Sequence, residues 1–379
     1  MRKVLVFLAV AAILAAAGWA QAAARDEAPK NIILFGWDGA QREHVHQCLE
    51  RGELPTLKRL SEEGALVAVD VVNGATDTKA GWSQILTGYN PEVTGVYSNG
   101  RYRDIPAGLS IFERLKAKFG QDFVCVATIG KSGHCGEINA PFKKPLKEGQ
   151  SPEDAAPAPD KKAAAQPGAG KQKLGKVVEE NGVKYLAFEG SPYYTMHKSC
   201  DVWEFGLAKD EKVGTRAIEL LDKYKDKPFF FFVHFAEVDH SGHQKGENSK
   251  EYNDALISND TWTGKIIDKL KELGLYEKTQ VYVTADHGFD EDGKSHKYAP
   301  YVFLGTNDPK VCRAGMRQDV APTVLARFGL DPTKAQPPTD GEDLTKPATK
   351  PVEKAPEKKA APAGQPAPKK PKAAKKEAA

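Results

Sequence analysis

Carboxylate and imidazole side chains stand at the ends of three apolar segments of this 379-residue sequence. Such a mixture of oxygen and nitrogen donors suits zinc, with Mn²⁺ as the alternative, whereas calcium and magnesium prefer oxygen almost throughout. The pattern therefore predicts a metal centre at these segment ends. Its candidate ligands are Asp38, Asp239, His243, Asp286, His287 and His296.

Each candidate ligand also has an ordinary structural interpretation. An Asp at the end of a strand is usually a helix cap or a turn former. His296 has Lys294 and Lys297 close by, as a surface histidine would. Their joint occurrence favours a shared site, because the chain has nine histidines and three of them fall into this pattern.

The segments that carry these residues are typical of buried parallel strands, because they are apolar on both faces. They alternate with stretches of helical periodicity, and this alternation predicts an α/β fold with a mainly parallel central sheet and helices on both faces. Open sheets of this kind place their ligands at the carboxyl ends of the strands. The predicted strands lie in 30–39, 65–72, 229–235 and 279–285, and the predicted helices include 54–64 and 253–273.

Length and composition predict one large domain over 25–344. A predicted signal peptide precedes it, a low-complexity insertion interrupts it and a low-complexity tail follows it. Residues 1–22 combine a positive start, an apolar run and an Ala-Gln-Ala cleavage site, which predicts a signal peptide and a periplasmic or secreted protein. Residues 143–173 are rich in Lys, Pro, Ala and Gly and are predicted to be a flexible insertion. Residues 345–379 contain ten lysines and three glutamates from Lys346 onward, which predicts a disordered tail. That tail is either simply solvated or attaches the protein to an anionic envelope polymer or surface.

Overall charge and cysteine content add little about function. The formal net charge is only +3, which indicates no particular partner and predicts no specific nucleic-acid binding. Five cysteines allow two disulfides and one free thiol, and their pairing is not readable from the sequence. No CxxC motif is present, so cysteine ligation of a metal is not expected.

The order of the motifs resembles the alkaline phosphatase superfamily, especially its nucleotide pyrophosphatase/phosphodiesterase and sulfatase-like branches. In that family a strand ending in Asp is followed by a nucleophile loop, then D-x-x-G-H, D-H-G and a final His. The matching residues here are Asp38, the loop 73–82, Asp239 through His243, Asp286-His287-Gly288 and His296, together with Leu86-Thr87-Gly88, Pro91-Glu92, Gly95-Val96, 318–325 and 340–344. The likeness extends roughly from Lys30 to Leu344, interrupted by the insertion.

The resemblance implies a phosphoric ester hydrolase with two zinc ions and a threonine nucleophile. The family nucleophile lies nine residues before the Thr of L-T-G, and counting back from Thr87 gives Thr78. Metal coordination is one way to activate a hydroxyl, and two cations about 3.5–4 Å apart can clamp an in-line displacement. Hydrolysis of a small-molecule phosphate ester is then expected to pass through a phosphothreonine. The implied ligands are Asp239, His243 and His296 for one ion, and Asp38, Asp286, His287 and Thr78 for the other.

Residues around the nucleophile loop receive further roles by the same resemblance. Asn99 matches a phosphate-binding asparagine of the phosphodiesterase branch, although it is also an ordinary turn residue. Lys131 resembles the lysine of the G-K-x-H loop of sulfatases, but His134 stands one residue too far along. Lys79 either reaches an anionic substrate or faces solvent, and Thr76 is the alternative nucleophile.

Other interpretations remain open at this stage. Formylglycine sulfatases need Cys or Ser in a C/S-x-P-x-R signature, and the stretch from Thr78 to Trp82 lacks it, so sulfatase chemistry is the second enzyme class. Phosphoglycerate mutases with these motifs are cytoplasmic and carry a large second domain. A non-catalytic binding protein on the same fold would normally have lost one of the expected side chains. Trp82, Tyr97 and Tyr102 either stack on a nucleobase or aryl group or serve packing; monoester and diester substrates are not distinguished.

Overall fold

The computed structural model describes residues 30–147, 150–152, 175–351 and 355. Within that part of the chain, strands form an eight-stranded sheet and a separate three-stranded sheet. The strands are β1 (Asn31–Trp37), β2 (Ala65–Asp70), β3 (Val124–Ile129), β4 (Phe142–Pro145), β5 (Lys176–Glu180), β6 (Val183–Phe188), β7 (Val202–Phe205), β8 (Phe229–Phe235), β9 (Thr279–Thr284), β10 (Phe303–Thr306) and β11 (Gly315–Met316).

The large sheet has the order β11-β2-β10-β9-β1-β8-β3-β7. β10 runs antiparallel to both of its neighbours, and the other adjacent pairs are parallel. The predicted α/β class with a mainly parallel sheet and helices on both faces is confirmed.

Helices connect and cover these strands. They are α1 (Arg42–Glu50), α2 (Pro55–Glu63), α3 (Thr78–Thr87), α4 (Pro91–Thr94), α5 (Ile111–Phe119), α6 (Asp210–Tyr224), α7 (Glu237–Lys245), α8 (Lys250–Glu272) and α9 (Val320–Arg327), with 3-10 turns at Met196–Ser199, Tyr276–Lys278, Arg317–Asp319 and Pro332–Lys334. None of the helices in the described ranges is long and apolar enough to cross a membrane.

β1 lies at the centre of the large sheet, between β8 and β9, and all three strands are completely buried. Trp37 of β1 pairs with Phe235 of β8, and Gly36 pairs with Thr284 of β9. Because these strands are parallel and in register at their ends, the residues that follow them emerge at the same edge of the sheet.

The predicted bounds of the insertion (143–173) and of the tail (345–379) stay predictions. Lys143 to Pro145 form part of β4, which pairs with β6 in the three-stranded sheet. Near the carboxyl end the backbone N–H of Thr349 donates to Glu342. The predicted signal peptide, most of the predicted insertion and most of the predicted tail lie outside the described residues. All five cysteines are free thiols.

Helix α3 packs closely against Asp286, which follows strand β9. It begins at the N-cap Asp77, whose carboxylate accepts a hydrogen bond from the Ala80 N–H, and it ends at Gly88 with φ 79°. All ten of its residues are buried. A Cβ at Gly81 would lie 2.5 Å from Asp286 Cβ, so only glycine allows the helix to approach Asp286 this closely.

We expect Gly81→Ala to destabilise the protein, although Gly→Ala inside a helix normally stabilises it by about 1 kcal/mol. Overpacking in a tight core costs roughly 1–3 kcal/mol, and here the opposing atoms belong to the Asp286 backbone and its Cβ. Denaturant unfolding should therefore show a net loss of stability.

The matched control is Gly100→Ala, because a Cβ at Gly100 meets no atom within 4 Å. A Gly81→Ala protein that is more stable than the wild type would show that α3 does not press on Asp286 as described.

Candidate active site

The first group of candidate ligands combines helix α7 with the loop that follows β9. Asp239 and His243 lie one turn apart on α7 and therefore on one face of it, and His296 comes from the loop. The Nε2 atoms of His243 and His296 lie 3.4 and 3.9 Å from Asp239 Oδ1. One potential ligand atom from each of the three residues lies within 4.8 Å of the others.

The second group lies at the ends of β1 and β9. Asp38 follows β1, and Asp286 and His287 follow β9, so the parallel register of the two strands brings them together. His287 Nε2 is 3.3 Å from Asp286 Oδ2 and 4.0 Å from Asp38 Oδ1. All three side chains are completely buried.

Each candidate histidine makes a hydrogen bond from Nδ1 to a backbone carbonyl oxygen. A carbonyl oxygen only accepts hydrogen bonds, so Nδ1 carries the hydrogen and Nε2 presents its lone pair to the group. This arrangement is usual for histidines that bind metals, since it fixes both the tautomer and the ring orientation. The Nδ1 atoms of His243, His287 and His296 lie 2.9, 2.9 and 2.6 Å from the carbonyl oxygens of Lys294, Gly288 and Thr76, respectively.

Several of the inward-facing atoms have no hydrogen-bond partner in the described part of the chain. They are Asp239 Oδ1, Asp286 Oδ2 and His287 Nε2. Buried polar atoms are normally hydrogen-bonded, so these atoms are arranged for another partner. Tetrahedral zinc at about 2.0–2.2 Å from its ligands places neighbouring ligand atoms roughly 3.3 Å apart. The donor types and their spacing therefore fit one zinc ion in each group.

Lys131 lies between the two groups and compensates part of their negative charge. Its Nζ is 2.7 Å from Asp38 Oδ1 and 2.9 Å from Asp239 Oδ2. Burial alone would raise the pKa of both carboxyls, but the Lys131 charge holds each pKa below its usual value. Burial, followed by the charge of Asp38, raises the pKa of Asp286 well above its usual value. If all three carboxyls were ionised, their negative charge would exceed the positive charge of Lys131, which favours the binding of further cations.

Thr78, the predicted nucleophile, lies at the start of α3 beside this cluster. Its Oγ1 is 2.8 Å from Lys131 Nζ, and the residue is 1% exposed. Asn99 is fixed to the same helical turn, because its Oδ1 accepts from the Lys79 N–H at 2.8 Å and its own N–H donates to Asp77 Oδ2 at 2.7 Å. The structure therefore brings Thr78, Asn99 and Lys131 together at one edge of the sheet.

Three residues that the sequence left open now have defined surroundings. The Thr76 hydroxyl donates to the His296 carbonyl oxygen at 2.5 Å, so it supports the loop that carries His296. Lys79 is buried and paired with Glu137, so the expectation that it faces solvent is wrong. His134 Nδ1 lies 3.2 Å from Asn99 Nδ2, beside the candidate site despite its displaced position in the motif.

The three aromatic residues considered for substrate stacking are mostly occupied elsewhere. Trp82 is completely buried, so it does not stack on a substrate, and that alternative is wrong. Tyr102 lies under the Lys79 ammonium, 4.4 Å from it. Tyr97 packs against the Arg101 guanidinium at 4.0 Å.

Arg317 is a functional candidate that the sequence did not reveal. Its guanidinium is completely buried and donates to the Gln84 side chain at 2.5 Å, to the Asp286 carbonyl at 2.7 Å and to the Ala75 carbonyl at 2.8 Å. It thus joins the loop before Thr78 to the backbone of a candidate metal ligand. The one available signal in the sequence was a charged Arg just before the apolar helix Val320–Arg327.

His234 is the second residue that sequence reasoning missed. It lies on β8, and its Nε2 is 2.8 Å from Asp38 Oδ2, where Trp82 Nε1 also donates at 3.1 Å. The available signal was an imidazole within the apolar strand Phe229–Phe235.

Comparison with known proteins supplies the family. Residues 32–304 match the model of the family described as Type I phosphodiesterase / nucleotide pyrophosphatase, and this range includes every candidate site residue named above except Arg317. The chain belongs to this family. It is 26% identical over 269 residues to human ectonucleotide pyrophosphatase/phosphodiesterase family member 1, covering 70% of this chain and 24% of that protein. The chain therefore spans about a quarter of the length of that relative.

Other proteins match over a shorter stretch of sequence or in overall structure. A 2,3-bisphosphoglycerate-independent phosphoglycerate mutase of Pseudomonas fluorescens is 34% identical over 83 residues, which is 19% of this chain and 16% of the mutase. The lipoteichoic acid synthase LtaP from Listeria monocytogenes has the same fold, with a TM-score of 0.50 at 15% identity over 84% of this chain and 76% of that one. An alkaline phosphatase superfamily protein of Vibrio parahaemolyticus gives a TM-score of 0.48 at 17% identity, covering 84% and 70% of the two chains.

We expect Arg317→Met to destabilise the protein by about 3 kcal/mol or more, because it leaves several buried oxygen acceptors without a donor and each such group costs roughly 1–3 kcal/mol. Thermal and denaturant unfolding measure this loss. Arg216→Met is the control, since its partners Glu204 and Glu219 are on the surface and such pairs contribute about 0–1 kcal/mol. Equal effects of the two substitutions would contradict the structural role of Arg317.

Proposed function

We propose that this protein is an exported phosphoric ester hydrolase that uses two metal ions and the Thr78 hydroxyl as its nucleophile. The observation that carries the proposal is the position of Thr78 Oγ1, at the N-terminus of α3 and 2.8 Å from a lysine that also contacts Asp38 and Asp239. The Lys131 ammonium thus links this hydroxyl to one carboxylate of each group of candidate ligands. Membership of the phosphodiesterase family supports the ester class.

The residues present fit a pair of zinc ions. Bound there, zinc would polarise the phosphoryl oxygens and assist ionisation of the ligated hydroxyl. The pKa of His296 supports ligation, since burial and then the neighbouring His287 lower it to about 3 and leave Nε2 without a proton. One ion would be held by Asp239, His243 and His296, and the other by Asp38, Asp286, His287 and Thr78.

Thr78 would react by in-line displacement. Its Oγ would lose the hydroxyl proton to water and form a bond to phosphorus while the bond from phosphorus to the leaving oxygen breaks. The products would be a phosphothreonine and a leaving group that takes up a proton from water. Water then attacks phosphorus, and the bond to Oγ breaks in turn, which releases phosphate or a phosphomonoester and restores the hydroxyl.

Lys131 and Asn99 would stabilise the charge that develops during these steps. Burial would lower the pKa of Lys131, but Asp239, Asp38 and Asp286 raise it above its usual value, so the side chain remains an ammonium ion. It can therefore donate a hydrogen bond to Thr78 Oγ as the oxygen becomes an alkoxide. Asn99 is held by two hydrogen bonds to the start of α3, which positions its amide to donate to a non-bridging oxygen.

The proposed substrate class rests on the family, and the proposed location rests on the sequence of the two ends of the chain. The family and the human relative favour a small-molecule phosphodiester or pyrophosphate. Export depends on the signal-like residues 1–22, and attachment to an anionic envelope polymer depends on the lysines from Lys346 onward. Fractionation of cells producing the full chain, with and without the segment after 351, tests both.

We expect Thr78→Ala to reduce turnover of an aryl phosphodiester at least about 1,000-fold, because no other group supplies the attacking oxygen. Zinc content and unfolding temperature should change little. Rapid acid quenching of the wild type with substrate should yield a phosphorylated peptide that contains Thr78.

Thr76→Val is the matched control, since it removes the hydroxyl of the alternative nucleophile while preserving its shape. It should lose much less activity than Thr78→Ala, because the Thr76 hydroxyl only supports the His296 backbone. Retained turnover in Thr78→Ala, or a phosphorylated Thr76, would sink the assignment.

We also expect chelation to abolish turnover and zinc to restore it. The panel should contain an aryl phosphomonoester, an aryl phosphodiester and an aryl sulfate, which separates the two phosphate classes from the sulfatase alternative. Preferential sulfate turnover would favour that alternative. No turnover and no zinc uptake would favour a non-catalytic binding protein.

A further inference from the structure

The two oxygens of the Asp38 carboxylate face different surroundings. Oδ2 accepts hydrogen bonds from His234 Nε2 at 2.8 Å and from Trp82 Nε1 at 3.1 Å. Oδ1 faces the other way, 2.7 Å from Lys131 Nζ and 4.0 Å from His287 Nε2. The carboxylate is thus held through one oxygen and presents the other to the second ligand group.

The contact with Asp38 Oδ2 is the one hydrogen bond that the His234 side chain makes among the described residues. Its side chain is completely buried, and its Nδ1 has no hydrogen-bond partner among the described residues. Because an ionised carboxylate only accepts, Nε2 carries the hydrogen of this bond.

Burying an imidazole at this position costs free energy. β8 is otherwise formed by phenylalanines and Val233, and a further apolar side chain would avoid burying an unpartnered nitrogen. The hydrogen bond from Nε2 is therefore the feature that distinguishes histidine here from its apolar neighbours.

Trp82 provides the second donor from the opposite layer. It lies on α3, one helical turn after Thr78, and its ring fits against β1 because residue 36 is glycine; a Cβ there would lie 2.4 Å from the Trp82 ring. Trp82 and His234 also pack edge to face, with ring centroids 5.1 Å apart. The two donors therefore fix Asp38 relative to both the sheet and the nucleophile helix.

We infer that His234, assisted by Trp82, is a positioning residue that locks the Asp38 carboxylate with Oδ1 directed at the metal position of Asp286, His287 and Thr78. The inference rests on the proposed function in requiring that this group holds a metal ion. It assigns to His234 no contact with substrate. Loss of such an outer hydrogen bond typically weakens metal binding by about 10–100-fold.

The experiment compares zinc-binding isotherms of the wild type and His234→Leu, measured by competition with a chromophoric chelator. We expect two binding steps in the wild type. In His234→Leu one step should weaken about 10–100-fold, while the step of Asp239, His243 and His296 should change less than about 3-fold. His234→Gln, whose amide nitrogen can take the place of Nε2, should restore most of the lost affinity.

Thr128→Val is the control for disturbance of the core. Thr128 lies on the adjacent strand β3, opposite Val233, and its hydroxyl is buried without a hydrogen-bond partner in the described structure. This substitution should leave both zinc steps unchanged. If His234→Leu does not fold, Trp82→Phe removes the other donor to Oδ2, keeps an aromatic ring and should weaken the same step.

The outcomes separate this inference from the proposed function. If the wild type shows two zinc-binding steps and the folded His234→Leu protein shows the same two affinities, the positioning role alone is overturned. An equal loss of zinc affinity in His234→Leu and His234→Gln also overturns it, because the loss then comes from altered packing. If His234→Leu does not fold, unchanged affinities of both zinc-binding steps in Trp82→Phe overturn the positioning role in the same way. No zinc step in the wild type overturns the metal proposal and this inference with it.

Discussion

Repulsion among buried carboxylates is the constraint on which the site depends. β8, β1 and β9 run parallel side by side, so Asp239, Asp38 and Asp286, which follow their carboxyl ends, are buried in one small volume. Ionised carboxylates in such surroundings are costly unless they are paired or bind metal ions. Lys131, the N-terminus of α3 and the proposed cations each offset part of this cost.

The same constraint explains residues that carry no reactive group. Gly81 lets α3 approach Asp286, and Gly36 makes room for Trp82, so the nucleophile helix can close directly over the strand ends. Arg317 secures the loop before Thr78 and the Asp286 backbone with a single guanidinium. The position of the Thr78 hydroxyl is therefore determined by the packed core and not by a flexible loop.

The candidate ligands were predictable because their information is local. An apolar run that ends in Asp or Asp-His identifies both a buried strand and its functional end, and parallel pairing then brings Asp38 and Asp286 together. The supporting contacts were not predictable, because they join residues far apart in the chain. Nothing near His234 in sequence indicates that its partner is Asp38, and the burial of Lys79 depends on Glu137.

Family membership and geometry address different parts of the account. The family model covers residues 32–304 and supports phosphoric ester chemistry, while the chain spans only about a quarter of its human relative. The metal pair is supported by the two ligand groups of this chain and by the inward Nε2 atoms of its histidines.

The most direct test of the central claim is a crystal structure of the zinc-loaded protein with anomalous diffraction data collected above and below the zinc absorption edge. We expect two zinc peaks, one among Asp239, His243 and His296 and one among Asp38, Asp286, His287 and Thr78. A single peak, or peaks only at other positions, would contradict the account.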